Sequence, residues 1–148
     1  AREMYDAVFK NGPYNIAICA AAVSDWYVVN KNSYKIKKNS SNPPQISLRE
    51  NPDILSDLSK SKNRPELVIG FAAETDEIEL NAKEKLNNKN CDWIISNDVS
   101  NRKIGFDSDY NEVTIHYRNK DIKPENLSYK KKSEISDEIV DRIIYQLN

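Results

Sequence analysis

The sequence predicts an α/β fold in which a parallel, Rossmann-like sheet is flanked by helices. Three observations carry that expectation. The runs "NIAICAAA" (15–22), "ELVIGFAA" (66–73) and "DWIISND" (92–98) are apolar at consecutive rather than alternate positions, as in strands covered on both faces. Amphipathic stretches separate them, and the order helix, strand, helix, strand, helix, strand is that of parallel strands joined by crossovers. Doubly wound folds usually begin on a strand followed by a Gly-rich turn. This chain begins on a helix and holds 3 Gly in all, so it is expected to lack the first βα units of such a fold.

Each element has a local justification. Residues 2–10 read as a helix with Met4, Tyr5, Val8 and Phe9 on one face and Asn11-Gly12 as its stop. The strand at 15–22 follows, apolar on both faces. The polar stretch from Asn30 to Pro44 is broken by "YKIKK", whose alternation suits an exposed strand with "QISLRE" as its partner. Few residues there can pack, so Lys31 to Ser41 is expected to be a mobile flap. Asn51-Pro52-Asp53 opens a helix through about Ser61, with Asn51 as N-cap, Pro52 at the first helical position and Asp53 in the first turn. A second buried strand is followed by a helix over 76–89 with Ile78, Leu80, Ala82 and Leu86 inward, then by the third buried strand. "GFDSDYNEVTIHYR" predicts a turn and an alternating strand, and "ENLSYKK" another. A helix from Ser133 closes the chain, striped by Ile135, Ile139, Val140, Ile143, Ile144 and Leu147.

With 148 residues the chain is sized for one domain, 1–148. Its 22 basic and 23 acidic residues leave no field that would suit nucleic acid or a membrane surface. The longest apolar run is far short of a membrane span and no signal peptide is visible, so a cytoplasmic domain is expected. Cys19 and Cys91 sit in apolar runs and read as two reduced, buried thiols. With His116 as the single histidine, no metal site is expected.

Ligands of open parallel sheets gather outside the carboxyl ends of the strands. Three such ends, "AAAVSDW", "GFAAET" and "ISNDVS", pass from apolar into small or polar residues and an acid: Asp25, Glu74 and Asp98. Alanine is a poor strand former, so Ala20, Ala21 and Ala22 leave two readings. Either they give room for helix packing while the acids cap helices, or they keep a strand end low beneath a nucleotide. Lys35, Lys37 and Lys38 protect an exposed edge or reach a polyphosphate. Lys85 and Lys89, four apart on one helix face, line a solvated surface or neutralise moving charge.

In order, "AAAVSDW", "KIKK", "NPDIL", "GFAAET", "AKEKLNNKNCDWIISNDVS" and "GFDSDYNEVTI" closely resemble phosphopantothenoylcysteine synthetase, the CoaB half of the bacterial Dfp flavoprotein. The resemblance runs from about Arg2 to the final helix. It implies a phosphopantothenate–cysteine ligase of coenzyme A biosynthesis, with CTP and Mg²⁺ as cofactors and 4′-phosphopantothenate and cysteine as substrates. CTP would activate the pantothenate carboxylate as an acyl-cytidylate, and the cysteine amine would then form the amide. By motif, Ala21 and Asp25 match positions where the nucleotide is held. Lys35 matches the flap lysine at the phosphates and is the candidate catalytic residue. Arg49, Glu50, Asn51, Pro52 and Phe71 match segments that enclose the nucleotide, and Lys85 and Lys89 the lysines near the triphosphate.

The family is dimeric, and the "KIKK" to "ISLRE" and "NEVTIHY" strands resemble its small antiparallel dimerisation subdomain. Where the family often has Tyr after the strand-end Asp, this chain has Trp26. The resemblance further implies an N-terminal segment with a Gly-rich turn, a Ser-Ser-Gly run and an Asn contacting the acyl-cytidylate. It also implies an upstream flavin-dependent decarboxylase half. Neither is in these residues, so the chain is expected to be the C-terminal portion, to bind no flavin and to lack full activity alone. A non-catalytic Rossmann-like nucleotide-binding or dimerisation domain is the alternative.

Overall fold

The computed structural model describes residues 1–31, 33–36, 45–100 and 108–148. A five-stranded sheet runs in the order β1 (Ile16–Cys19), β4 (Leu67–Glu74), β5 (Trp93–Asp98), β6 (Tyr110–Tyr117), β7 (Glu125–Lys131). β1, β4 and β5 are parallel, whereas β6 and β7 join antiparallel. The three consecutively apolar runs thus form adjacent parallel strands, as their composition implies.

Helices cover both faces. On one, α4 (Lys132–Leu147) lays Ile135, Ile139 and Ile143 over Val113, Ile115 and Leu127, in a core that continues to Ile69, Trp93 and Ile95. On the other, α3 (Ile78–Lys89) buries Ala82 and Leu86 against Val68, Ala72 and Ile94. α2 (Ile54–Lys60) lies on the same side, with Leu55 packed on that core. Gly70 sets how close α2 comes: a Cβ there would stand 2.5 Å from Leu55 Cδ2 and 2.9 Å from Ile94 Cδ1. Under α3, Ser96 Oγ and His116 Nε2 lie 2.9 Å apart, and burial lowers the His116 pKa. No helix among the described residues is long and apolar enough to cross a membrane.

Several expectations are corrected. β1 is four residues long, ends at Cys19 and leaves Ile18 49% exposed, because this edge strand has a neighbour on one side only. The alanines therefore stand outside the strand, and their poor strand propensity conflicts with nothing. "YKIKK" is not the partner of "QISLRE": residues 33–36 form no strand, Lys37 and Lys38 lie outside the described residues, and β3 (Leu48–Glu50) pairs instead with β2 (Trp26–Val28). Of the expected mobile stretch Lys31 to Ser41, residues 32 and 37–41 likewise lie outside them. Asp53, not Asn51, caps α2, accepting the Ser56 N–H at 3.0 Å. Leu80 faces outward at 52% exposure, and Val140 and Ile144 of the α4 stripe are half exposed, because the sheet meets only one side of each helix. The "NEVTIHY" strand is β6, which pairs with β7 over Tyr110–Ile115 and with β5 over Thr114–Tyr117, so it belongs to the main sheet and not to a separate antiparallel subdomain. Cys19 is only half buried, unlike Cys91, whose thiol burial pushes up to about 11.

Candidate functional site

β4 outruns β1. Residues Leu67 to Gly70 pair with β1, while Phe71 to Glu74 continue beside β5 alone. At that step a cleft of about 640 Å³ opens at the carboxyl end of β1. Such crevices are where open α/β sheets collect ligands.

The chain leaving β1 forms one wall through Ala21, Ala22, Ser24, Asp25 and Trp26. Side chains larger than alanine at 21 and 22 would project into this space. The junction of β3 with α2 supplies Glu50, Asn51, Pro52 and Asp53. These two walls are tied together: the Asn51 backbone N–H donates to Asp25 O at 2.8 Å, and its Nδ2 donates to Ser24 O at 2.8 Å. Asn51 thus orients the Asp25 loop. Phe71 on β4, Lys85 and Lys89 on α3, Met4 on α1 (Arg2–Asn11) and the Cys19 thiol complete the lining. Burial, reinforced by the Asp53 charge, raises the Cys19 pKa, so the thiol stays protonated at neutral pH.

Both lysines of the cleft are paired. Lys85 Nζ lies 2.5 Å from Glu74 Oε1, at the end of β4. Lys89 meets Asp53 Oδ2, the oxygen not used in capping α2. The arrangement presents two ammonium groups one helical turn apart beside a loop with small side chains and a carboxylate. That combination suits an extended anion attached to a group with hydroxyls or an amine.

Of the residues singled out in the sequence, Ala21, Asp25, Glu50, Asn51, Pro52, Phe71, Lys85 and Lys89 converge on this cleft. Lys35 and Arg49 do not line it; both are exposed, and Arg49 stands on β3 opposite Tyr27. Sequence reasoning missed Asp53 and Glu74 as the lysines' partners and Gly70 as the spacer under α2. Glu74 was visible as a strand-end acid, and a glycine inside "LVIGF" is itself a signal of close approach. Among the described residues no group of three or more His, Cys, Asp or Glu side chains could hold a metal ion.

The model of the DNA/pantothenate metabolism flavoprotein C-terminal domain, DFP, matches residues 1–147. The chain belongs to this family. Among its relatives, the coenzyme A biosynthesis bifunctional protein CoaBC of Haemophilus influenzae is 39% identical over 145 residues, 97% of this chain and 35% of that protein. CoaBC of Escherichia coli K12 is 37% identical over 109 residues, 72% of this chain and 27% of that protein. A cysteine/cysteine sulfinic acid decarboxylase from an unknown prokaryote is 36% identical over 130 residues, 88% of this chain and 35% of that protein. The DFP domain thus spans about a third of the length of these curated relatives. The crystal structure of a CoaBC C-terminal domain superposes with a TM-score of 0.73 at 31% identity, covering 99% of this chain and 62% of that one. A DNA/pantothenate metabolism flavoprotein from Streptococcus pneumoniae shares the fold, with a TM-score of 0.71 at 19% identity.

Proposed function

We propose that this DFP domain carries the nucleotide side of a phosphopantothenate–cysteine ligase in coenzyme A synthesis. The observation that carries the reading is the convergence of Ala21, Asp25, Asn51, Lys85 and Lys89 on one cleft at the carboxyl end of a parallel strand. In the reaction, a carboxylate oxygen of 4′-phosphopantothenate attacks the α-phosphorus of CTP. The bond from that phosphorus to the bridging oxygen breaks, releasing pyrophosphate and leaving an acyl-cytidylate. The cysteine amine then attacks the acyl carbon, loses a proton and expels CMP.

The first step brings two anions together, and the domain's part is positioning and charge. Lys85 and Lys89 face the phosphates. The low surface at Ala21 and Ala22 admits the nucleoside, and Asp25 accepts hydrogen bonds from a ribose hydroxyl or a base amine. Mg²⁺ would neutralise phosphate charge while held by phosphate oxygens and water, its usual ligands in nucleotide sites. No side chain is assigned to it. Lys35 is not among the residues that line the cleft.

The remaining parts of the reading concern the whole enzyme. A homodimer through β2 and β3 is supported by the exposed apolar side chains of Trp26, Val28, Ile46 and Leu48 on and beside that hairpin. The bifunctional CoaBC relatives, of which this chain spans about a third, support a further half in the whole protein. In this reading it is an upstream flavin-dependent decarboxylase, and the setting is cytoplasmic. Light scattering of the parent and of Leu48→Lys tests the dimer: the variant is expected to be monomeric.

Calorimetric titration with CTP and with ATP in the presence of Mg²⁺ tests the nucleotide site. CTP is expected to bind in preference to ATP. Lys85→Ala and Asp25→Ala should each weaken it by roughly tenfold, the scale of one charge-assisted hydrogen bond. Lys35→Ala should weaken it less. Equal binding of CTP by the parent and by both cleft variants would remove the assignment. A stable dimer without nucleotide affinity would favour a non-catalytic domain.

A further inference from the structure

The two lysines of the cleft are not bare cations. Lys85 and Lys89 project from the same face of α3, about 6 Å apart along its axis. Each is held by a carboxylate from a different element, Glu74 at the end of β4 and Asp53 at the cap of α2. In each carboxylate one oxygen is anchored by the fold and the other is given to a lysine. Asp53 Oδ1 accepts the Ser56 N–H at 3.0 Å, and Oδ2 faces Lys89. Glu74 Oε2 accepts from Asn81 Nδ2 at 3.3 Å, and Oε1 faces Lys85. Glu74 is only 12% exposed, so it stays close at hand to re-form the pair when the cleft empties. These two acids neutralise the two lysines, while Asp25 and Glu50 add further negative charge to the lining.

We propose that Glu74 and Asp53 are built-in counter-ions that make polyphosphate binding an exchange rather than a capture. The inference rests on the nucleotide reading of the same cleft. A phosphate oxygen entering the cleft takes the place of a carboxylate oxygen on each lysine. When the phosphate leaves, the carboxylates return, so the lysines never face solvent alone.

Two consequences follow. The lysines are kept extended and aimed, where two unpaired like charges at this helical spacing would repel each other. Ground-state affinity for the polyphosphate is also held down, which favours release of an anionic product over tight uniform binding. Glu74 and Asp53 are therefore positioning residues that act through Lys85 and Lys89. The pairs are partly exposed, and pairs of that kind are individually weak. The effect of each is accordingly a few-fold change in affinity.

A purely structural tie between α3, β4 and α2 would lower the melting temperature on mutation and leave anion binding unchanged or weaker. Glu74→Gln and Asp53→Asn separate the two roles, because asparagine caps helices as well as aspartate does. The 148-residue chain and both variants are titrated with inorganic pyrophosphate and tripolyphosphate across a salt series, and their melting temperatures are measured. Each variant is expected to bind both anions roughly threefold more tightly, and the double variant roughly tenfold. Salt dependence should steepen in the variants, because freed lysines recruit solution anions that the ligand must release, whereas the parent's counter-ions are its own. A parent that binds while the variants bind no tighter, with an unchanged salt slope, overturns this inference alone. A parent that binds neither anion overturns the nucleotide reading and this inference with it.

Discussion

At the β6–β7 end of the sheet, Val113, Ile115 and Leu127 meet Ile135, Ile139 and Ile143 of α4, and none is more than 6% exposed. At the β1 end, α1 buries no residue, Ile18 is 49% exposed, and the β2–β3 pair is exposed at all but Tyr27. Arg2, 3.8 Å over the Tyr27 ring, is among the few contacts that tie α1 to that pair. The difference teaches where stability and site are kept. A strand paired on both edges and covered by a helix has no room for a ligand. A strand that stops while its neighbour continues leaves both a crevice and loops able to adjust. The cleft lies on the boundary, with a firm wall of β4, α2 and α3 and a lightly packed wall of residues 21–26. Low local packing of this kind accompanies ligand-binding loops generally.

The sharpest way to break this comparison is to truncate one isoleucine at each end. Ile115→Ala removes a fully buried side chain from the α4 core and should cost about 2–5 kcal/mol. Ile18→Ala, at the half-exposed edge, should cost under about 1 kcal/mol, since little apolar area leaves water there. Urea unfolding measures both, and equal losses would end the claim that the ends differ.

Gly70→Ala probes the firm wall itself. The added methyl would press on Leu55 and Ile94, with an expected overpacking cost of about 1–3 kcal/mol. Because Leu55 also lines the cleft, CTP affinity should fall together with the unfolding midpoint.

A smaller effect separates the ends by pH. Glu125 accepts from Arg142 and, at 3.0 Å, from the Tyr117 hydroxyl. The Arg142 hydrogen bonds hold its carboxyl below the usual 4.5. A lowered folded pKa means that this stability is present above pH 4.5 and is lost as pH falls through the folded value. Glu125 and Arg142 are both partly exposed, so screening limits the gain to under about 1 kcal/mol. Glu125→Gln should forfeit it at neutral pH and flatten the acid limb of a pH-dependent denaturation series.

Asn51→Ala should give the smallest change in stability, about half a kcal/mol, because the bond it removes is exposed. Its effect on the site should be larger. Without the link to Ser24 O the Asp25 loop loosens, and CTP binding should weaken several-fold by calorimetry.

Much of this was legible before any coordinates. The three consecutively apolar runs read as strands, and their order with the intervening helices made them parallel neighbours, although only β4 and β5 are covered on both faces. The "NPD" helix start was readable in outline. Its capping residue was misplaced by two positions, because Asn and Asp are equally good caps and only geometry chooses between them. The partner of "QISLRE" was misread for a related reason. "YKIKK" and "DWYVV" both suit an exposed strand, and pairing depends on where the intervening chain can turn.

The sequence by itself determined the class of the fold, the three strand ends and the residue types gathered at them, because periodicity and capping are local properties. It also carried the likeness to the DFP family, through motifs kept in order. Only the tertiary structure decided that β1 stops four residues before β4, which is what opens the cleft. It alone brought Asp53 and Glu74 onto Lys89 and Lys85 from residues 36 and 11 positions away. Those pairings depend on how far α2 settles over Gly70 and on which face α3 turns to the sheet. Both are outcomes of packing, which no local pattern of residues encodes.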